Sequence, residues 1–243
     1  MKIIDVNMSI GHKDYSGKIV TVEHVLALME EYQIHHSVCY HAHTWLDPKD
    51  GNCKMAEIAR ASQGKIGLCL VLDPILGADN LPGEGSLKER IGAMKPECLR
   101  VFPKMCRTPM HPFYWEEILD AANELSLPLI LDEPYRMEFF HILPDMSKRY
   151  PNVKFVLLEQ GCCEGRRIIP LASKCANVYF TCERMLDNQQ IEELEERGCV
   201  DKLLFGSGYP NRPHAGALGL VIYANIREEN REKIFSKNWE AMV

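Results

Sequence analysis

The chain lacks a hydrophobic run long enough to cross a bilayer. Its apolar stretches are strand-sized, far below the roughly 20 residues a spanning helix needs. Positive charge is also short. Lys and Arg number 28 against 34 Asp and Glu, a formal net charge of −6, which argues against a nucleic-acid partner held through a basic face. None of the ten cysteines forms a C-x-x-C pair, so a zinc ribbon has little support. Cys39, Cys69 and Cys98 sit on apolar segments, and Cys162-Cys163 are adjacent. This usage fits a reducing cytoplasm with cysteine as a small core hydrophobe. The opening Met1-Lys2-Ile3-Ile4-Asp5 breaks its apolar stretch at Asp5, so no signal peptide is expected there. There is no G-x-G-x-x-G after the first apolar run, which counts against a dinucleotide-binding open sheet. Linkers, low-complexity runs and internal repeats are missing too.

What is present is a regular alternation. Short β-branched runs at Lys2–Val6, His36–Tyr40, Ile66–Leu72, Cys98–Phe102, Pro128–Leu131, Val153–Leu158, Asn177–Thr181 and Lys202–Phe205 alternate with amphipathic helical stretches. Strands separated by helices pair in parallel through right-handed crossovers. Eight such units in 243 residues predict an α/β chain folded as one (β/α)8 TIM barrel, a single domain over residues 1–243.

Active sites of such barrels lie at the C-terminal ends of the strands, so the polar residue after each apolar run is a candidate. That rule selects Asn7 and Ser9, His41 and His43, Asp73, Lys104, Asp132 and Glu133, Glu159 and Gln160, Thr181 and Glu183, and Ser207 and Gly208.

Several of these stand inside recognisable motifs. Ile3-Ile4-Asp5-Val6-Asn7-Met8-Ser9-Ile10-Gly11 resembles the I-D-x-H-x-H-x-G opening of the amidohydrolase superfamily. The branch is the amidohydrolase-2 group, with aminocarboxymuconate semialdehyde decarboxylase and related small-acid hydrolases. Leu127–Asp132 resembles its fifth-strand L-P-hydrophobic-H, and Tyr150–Gly161 its sixth-strand P-x-hydrophobic-H-x-G. Lys202–Pro210 resembles its G-S-D-x-P eighth strand, and Lys233–Trp239 its I-x-x-x-N-A ending. The resemblance spans nearly the whole chain and implies a barrel enzyme that hydrolyses or decarboxylates a small, acidic molecule.

The departures matter as much. The paired histidines of the family's first strand correspond to Asn7 and Ser9, and its fifth- and sixth-strand histidines to Asp132 and Glu159. Its eighth-strand aspartate corresponds to Gly208. Asn and Ser offer neither an anionic nor an imidazole donor, and glycine offers none, so the usual zinc site is expected to be replaced.

Three readings follow. In the first, the enzyme works without a metal. Glu159 and Asp132 form a carboxylate pair that supplies acid and base, and Asn7, Ser9, His41 and Lys104 contact the substrate. Metal-free lactone hydrolysis within the superfamily is a precedent the resemblance implies. In the second, a relocated divalent metal such as zinc is held by His41, His43, Asp132 and Glu159. In the third, the barrel binds a small molecule or acts as a scaffold without catalysis. Asp132 also reads as a helix cap, whereas Glu159 closing an apolar strand has few structural uses. The expected partner is a small-molecule substrate, with no nucleic acid and no membrane. Leu218, Leu220, Val221 and Ile222 either form a homodimer interface or cover the barrel.

Overall fold

The computed structural model describes residues 1–243 except 15, 133–135, 159–160 and 162–163; the side chains of 136–139 are also left undescribed. The strands are β1 Ile4–Ile10, β2 His36–His41, β3 Ile66–Val71, β4 Cys98–Val101, β5 Pro128–Leu131, β6 Lys154–Leu157, β7 Val178–Thr181 and β8 Leu203–Leu204. They run in the order β1 to β8 in one sheet of parallel neighbours. The ring closes through the segment after β8. Val6 N–H donates to Phe205 O at 3.0 Å, Gly208 N–H to Asn7 O at 3.0 Å, and Ser9 N–H to Tyr209 O at 3.1 Å. The expected TIM barrel is therefore the fold, and no helix among the described residues is long and apolar enough to cross a membrane.

The helices start where local chemistry satisfies their free N–H groups. Thr21 caps Val22–Glu31, Asp47 caps Pro48–Ala61, and Ser86 forms a reciprocal capping box with Glu89 ahead of Leu87–Met94. Pro112 opens Pro112–Leu125 with its fixed φ and missing N–H.

Strand residues alternate between two apolar layers, as a period of two demands. Ile4, Val6, Val38, Val71, Cys98, Ile130, Val156 and Leu204 fill the barrel interior. Leu70, Leu99, Val101, Leu129, Phe155 and Phe180 face outward and pack the helices. Leu218 and Val221 belong to the same outer layer, so that part of the last long helix, His214–Ile222, covers the barrel.

Two sequence expectations shift. The first strand was expected to end at Val6 but runs to Ile10, so Asn7 and Ser9 lie inside it. The sequence also reads as a helix over Glu228–Phe235; the chain is α-helical over Glu228–Glu232 and widens to a π-turn at Lys233–Lys237.

Candidate functional site at the strand ends

The first strand carries the feature that builds the site. Its pairing with β2 changes register between Asp5 and Met8. Ile4 and Val6 belong to the interior layer, whereas Met8 and Ile10 belong to the outer one. A bulge of this kind re-aims side chains. It turns Asn7 and Ser9 into the barrel, where a regular strand would have turned them out. Asp5 anchors the bulge from behind. Fully buried, its Oδ1 accepts the N–H of Asn7 at 3.0 Å and of Ser207 at 2.9 Å, which pins β1 to the chain leaving β8. His214 Nε2 lies 3.7 Å from Asp5 Oδ2, and its ring stacks on Tyr32 and Tyr209. Burial holds that imidazole below its ordinary pKa.

Arg100 occupies the centre. It follows Cys98 and precedes Phe102 on the inward face of β4, and only 5% of its side chain is exposed. Its guanidinium donates one bond to Asn7 Oδ1 at 3.0 Å and another to Asp132 Oδ2. Its Nε is buried with no hydrogen-bond acceptor among the described residues. The Arg100 carbon stands 4.3 Å from the Tyr40 ring centroid and 5.1 Å from that of Phe102, a stacked cation. Burial alone would weaken this charge. Asp132 and then Tyr40 outweigh it, and the guanidinium is held more firmly protonated than in water.

Asn7 passes the polarity onward. Its Oδ1 faces Arg100, so its Nδ2 faces Glu183, donating to Oε1 at 2.8 Å. An amide is suited to this place because it presents an acceptor to a cation and a donor to a carboxylate. The result is one polar layer across the strand ends, from Asp132 after β5 through Arg100 on β4 and Asn7 on β1 to Glu183 after β7. Gly206 lets the last two meet. A Cβ there would stand 3.0 Å from Asn7 Cβ and 3.3 Å from Glu183 Oε2.

An aromatic wall rises on one side. Tyr40 Oη bonds His12 Nε2 at 3.2 Å, and also interacts with the Ser9 side chain. His12 meets Trp45 edge to face at 4.2 Å, and Trp45 meets Phe102 at 6.0 Å. Burial, then Arg100, pushes the His12 pKa down to about 4. Burial pushes Tyr40 up to about 12, even though Arg100 opposes it. Both groups are therefore neutral near pH 7.

The residues selected from sequence fall in several places. Asn7 and Asp132 are joined through Arg100, and Ser9 is buried beside Tyr40. His41 Nδ1 accepts the N–H of His43 at 3.1 Å, capping the turn Ala42–Trp45, and burial lowers its pKa. His43 Nε2 pairs with Asp50 Oδ2 of the following helix at 2.9 Å. Lys104 is exposed on the single turn Pro103–Cys106. Glu159 lies outside the described residues, as do Glu133, Gln160, Cys162 and Cys163. Among the described residues no three His, Cys, Asp or Glu side chains are grouped to hold a metal ion.

Arg100 and His12 escaped a search restricted to the first polar residue after each strand. Arg100 had a signal of its own. It is a lone charge at an inward position of a strand apolar on both faces, where charges are rare unless paired.

Gly208 completes the picture. Its φ of +71° is one that side chains rarely adopt, and a Cβ there would stand 3.5 Å from Arg212 Cδ. The stem of Arg212 thus lies against the position that carries aspartate in the eighth-strand motif.

A family model described as Amidohydrolase matches residues 102–242. Among solved structures, an uncharacterised TIM-barrel protein of Bordetella bronchiseptica is similar at 18% identity and a TM-score of 0.74, covering 100% of this chain and 98% of that one. A dihydroxybenzoic acid decarboxylase of Polaromonas, solved with manganese and 2-nitroresorcinol, matches at 14% identity and TM-score 0.74, covering 99% and 96%. A 5-carboxyvanillate decarboxylase of Sphingomonas paucimobilis matches at 12% identity and TM-score 0.76, covering 99% and 98%. At these identities the likeness is one of fold. No curated protein matches.

Proposed function

The chain belongs to the amidohydrolase family, and from that premise we propose that it hydrolyses or decarboxylates a small carboxylic acid without the family's usual divalent metal. In this reading the guanidinium of Arg100 is the fixed positive charge of the mouth. One observation carries it: Arg100 bonds both Asn7 and Asp132, two positions that correspond to metal ligands in the motifs the chain resembles.

The donor set does not fit a divalent metal at those positions. Asn7 and Ser9 are weak donors, and Gly208 has no side chain. The oxygen acceptors that Asn7 and Asp132 offer are already turned to a cation. A dication placed about 4 Å from that guanidinium would meet roughly 8 kcal/mol of repulsion at an effective dielectric of 20. The Asp132 carboxylate, which would attract a metal, is already paired with that guanidinium.

A guanidinium does part of what a metal does. It binds a carboxylate in a fork and stabilises negative charge that develops on oxygen in the transition state. Asp132 and Asn7 hold it in place and so act as positioning residues. Tyr40, Phe102 and Trp45 supply aromatic rings beside the guanidinium, in keeping with the hydroxylated aromatic acids named for the Polaromonas and Sphingomonas decarboxylases. Glu159 is assigned the proton transfer, as general base toward water or acid toward a carbanion.

The test is turnover of small lactones, esters and hydroxybenzoates by the untagged protein and by Arg100→Lys and Glu159→Gln. Expected are activity that survives exhaustive chelation and a loss of about 100-fold in kcat/KM for each variant. Activity abolished by chelation and restored by zinc or manganese would sink the proposal. Acids that bind through Arg100 but never turn over would make the barrel a binding protein.

A further inference from the structure

Beside the mouth lies a cleft of about 280 Å³ formed by the segments that follow β2, β3 and β4. Trp45, Leu46, Ile75, Leu76, Phe102 and Met105 line it. Leu46 is 84% exposed, Ile75 80%, Met105 46%, Trp45 45% and Leu76 40%. Large apolar side chains scattered singly over a surface need no explanation, but several gathered round one concavity mark a binding groove.

The cleft is preformed. Asp73 at its edge accepts the N–H of Ile75 at 2.9 Å and the thiol of Cys106 at 3.4 Å. The buried amide of Asn80 clamps the Asp73 backbone at both ends, at 2.7 Å and 2.8 Å. The two loops that carry Ile75 and Met105 are therefore tied together before any ligand arrives.

The cleft is also continuous with the polar layer. Phe102 lines it and at the same time stacks under Arg100, with 5.1 Å between ring centroid and guanidinium carbon. Trp45 does likewise, lining the cleft and touching His12. Among the described residues, Phe102 and Trp45 thus join the surroundings of Arg100 to the cleft, so a ligand whose charged end rests on Arg100 has an apolar direction in which to extend.

We infer that the cleft is a subsite for the apolar arm of the acid, so that the ligand is an amphiphilic carboxylate rather than a compact one. This rests on the reading of Arg100 as the carboxylate anchor.

The experiment is a calorimetric titration with acetate, butanoate, hexanoate and octanoate. The proteins are the wild type, the double variant Leu46→Ser/Ile75→Ser, and Arg100→Lys. Both leucine and isoleucine are exposed, so their replacement leaves the core untouched. The affinity of the wild type should rise about fourfold per methylene, the increment for a buried CH₂. The double variant should lose most of that slope while binding acetate unchanged. Trp45 supplies an optical readout. It is the exposed one of three tryptophans, the others being 1% and 2% exposed, and its emission should move to the blue only with the longer acids.

Affinity independent of chain length in the wild type, with acetate binding still weakened by Arg100→Lys, would overturn the subsite and leave the anchor standing. A slope that persists in the double variant would place the arm elsewhere and overturn it too. Acetate binding unchanged in Arg100→Lys would overturn the anchor and this inference with it.

Discussion

Replacing Arg100 by methionine removes the charge and keeps most of the volume. In the native protein the guanidinium is 5% exposed and bonded to Asn7 and Asp132. Its loss leaves the Asp132 carboxylate without its cation and the Asn7 oxygen without a donor. Removing one partner of a buried pair costs about 3–5 kcal/mol. The Asp132 side chain is 32% exposed and partly rehydrates, so the lower end applies, about 3 kcal/mol. Loss of the cation over Tyr40 adds about 1 kcal/mol. Together, about 4 kcal/mol, they correspond for a chain of this length to a fall in Tm of roughly 8–16 °C, measurable by calorimetry. The second half of the prediction separates charge from packing. Adding Asp132→Asn to Arg100→Met removes the stranded charge. The double variant should therefore be more stable than the sum of the single effects by about 2 kcal/mol. A single variant within about 1 kcal/mol of wild type, with purely additive effects in the double, would refute the argument that Arg100 and Asp132 are one buried unit.

Asp5→Ala leaves the N–H groups of Asn7 and Ser207 without their acceptor. At about 1–3 kcal/mol each it should cost about 2–6 kcal/mol and raise hydrogen exchange at those two amides first, where β1 meets the end of β8. Gly208→Asp restores the residue of the eighth-strand motif but forces a side chain onto a φ of +71°; it should cost about 1 kcal/mol and gain no stoichiometric zinc by elemental analysis. His12 has a folded pKa of about 4 against 6.5 for the free imidazole. Between those values the unfolded chain binds the extra proton, so this contribution is intact above pH 6.5 and is lost as pH falls toward 4. His12→Phe should flatten that part of the Tm–pH curve, and an unchanged curve would remove His12 as its source.

The barrel was legible because strand and helix periodicities differ and turn residues punctuate them. Strand Pro128–Leu131 falls where the sequence places it. The family resemblance was legible in motifs at the strand ends. The site was read less well, for three physical reasons. The first strand was ended with its β-branched run at Val6, because a bulge is a change of register that composition does not announce. Looking only after strands missed Arg100, which lies within one. The relocated-metal reading grouped His41 and His43; their rings do meet edge to face at 6.4 Å, but on a 3₁₀ turn that pairs His43 with Asp50. Glu183, by contrast, was among the strand-end residues selected and lies in the polar layer.

In the proposed reading a guanidinium stands where the family's motifs place a metal. The most direct measurement is elemental mass spectrometry of untagged protein, incubated with zinc and manganese and then passed through a desalting column. Well under one equivalent of either metal should remain on the wild type. One equivalent retained per chain, and lost in Asp132→Asn, would contradict it.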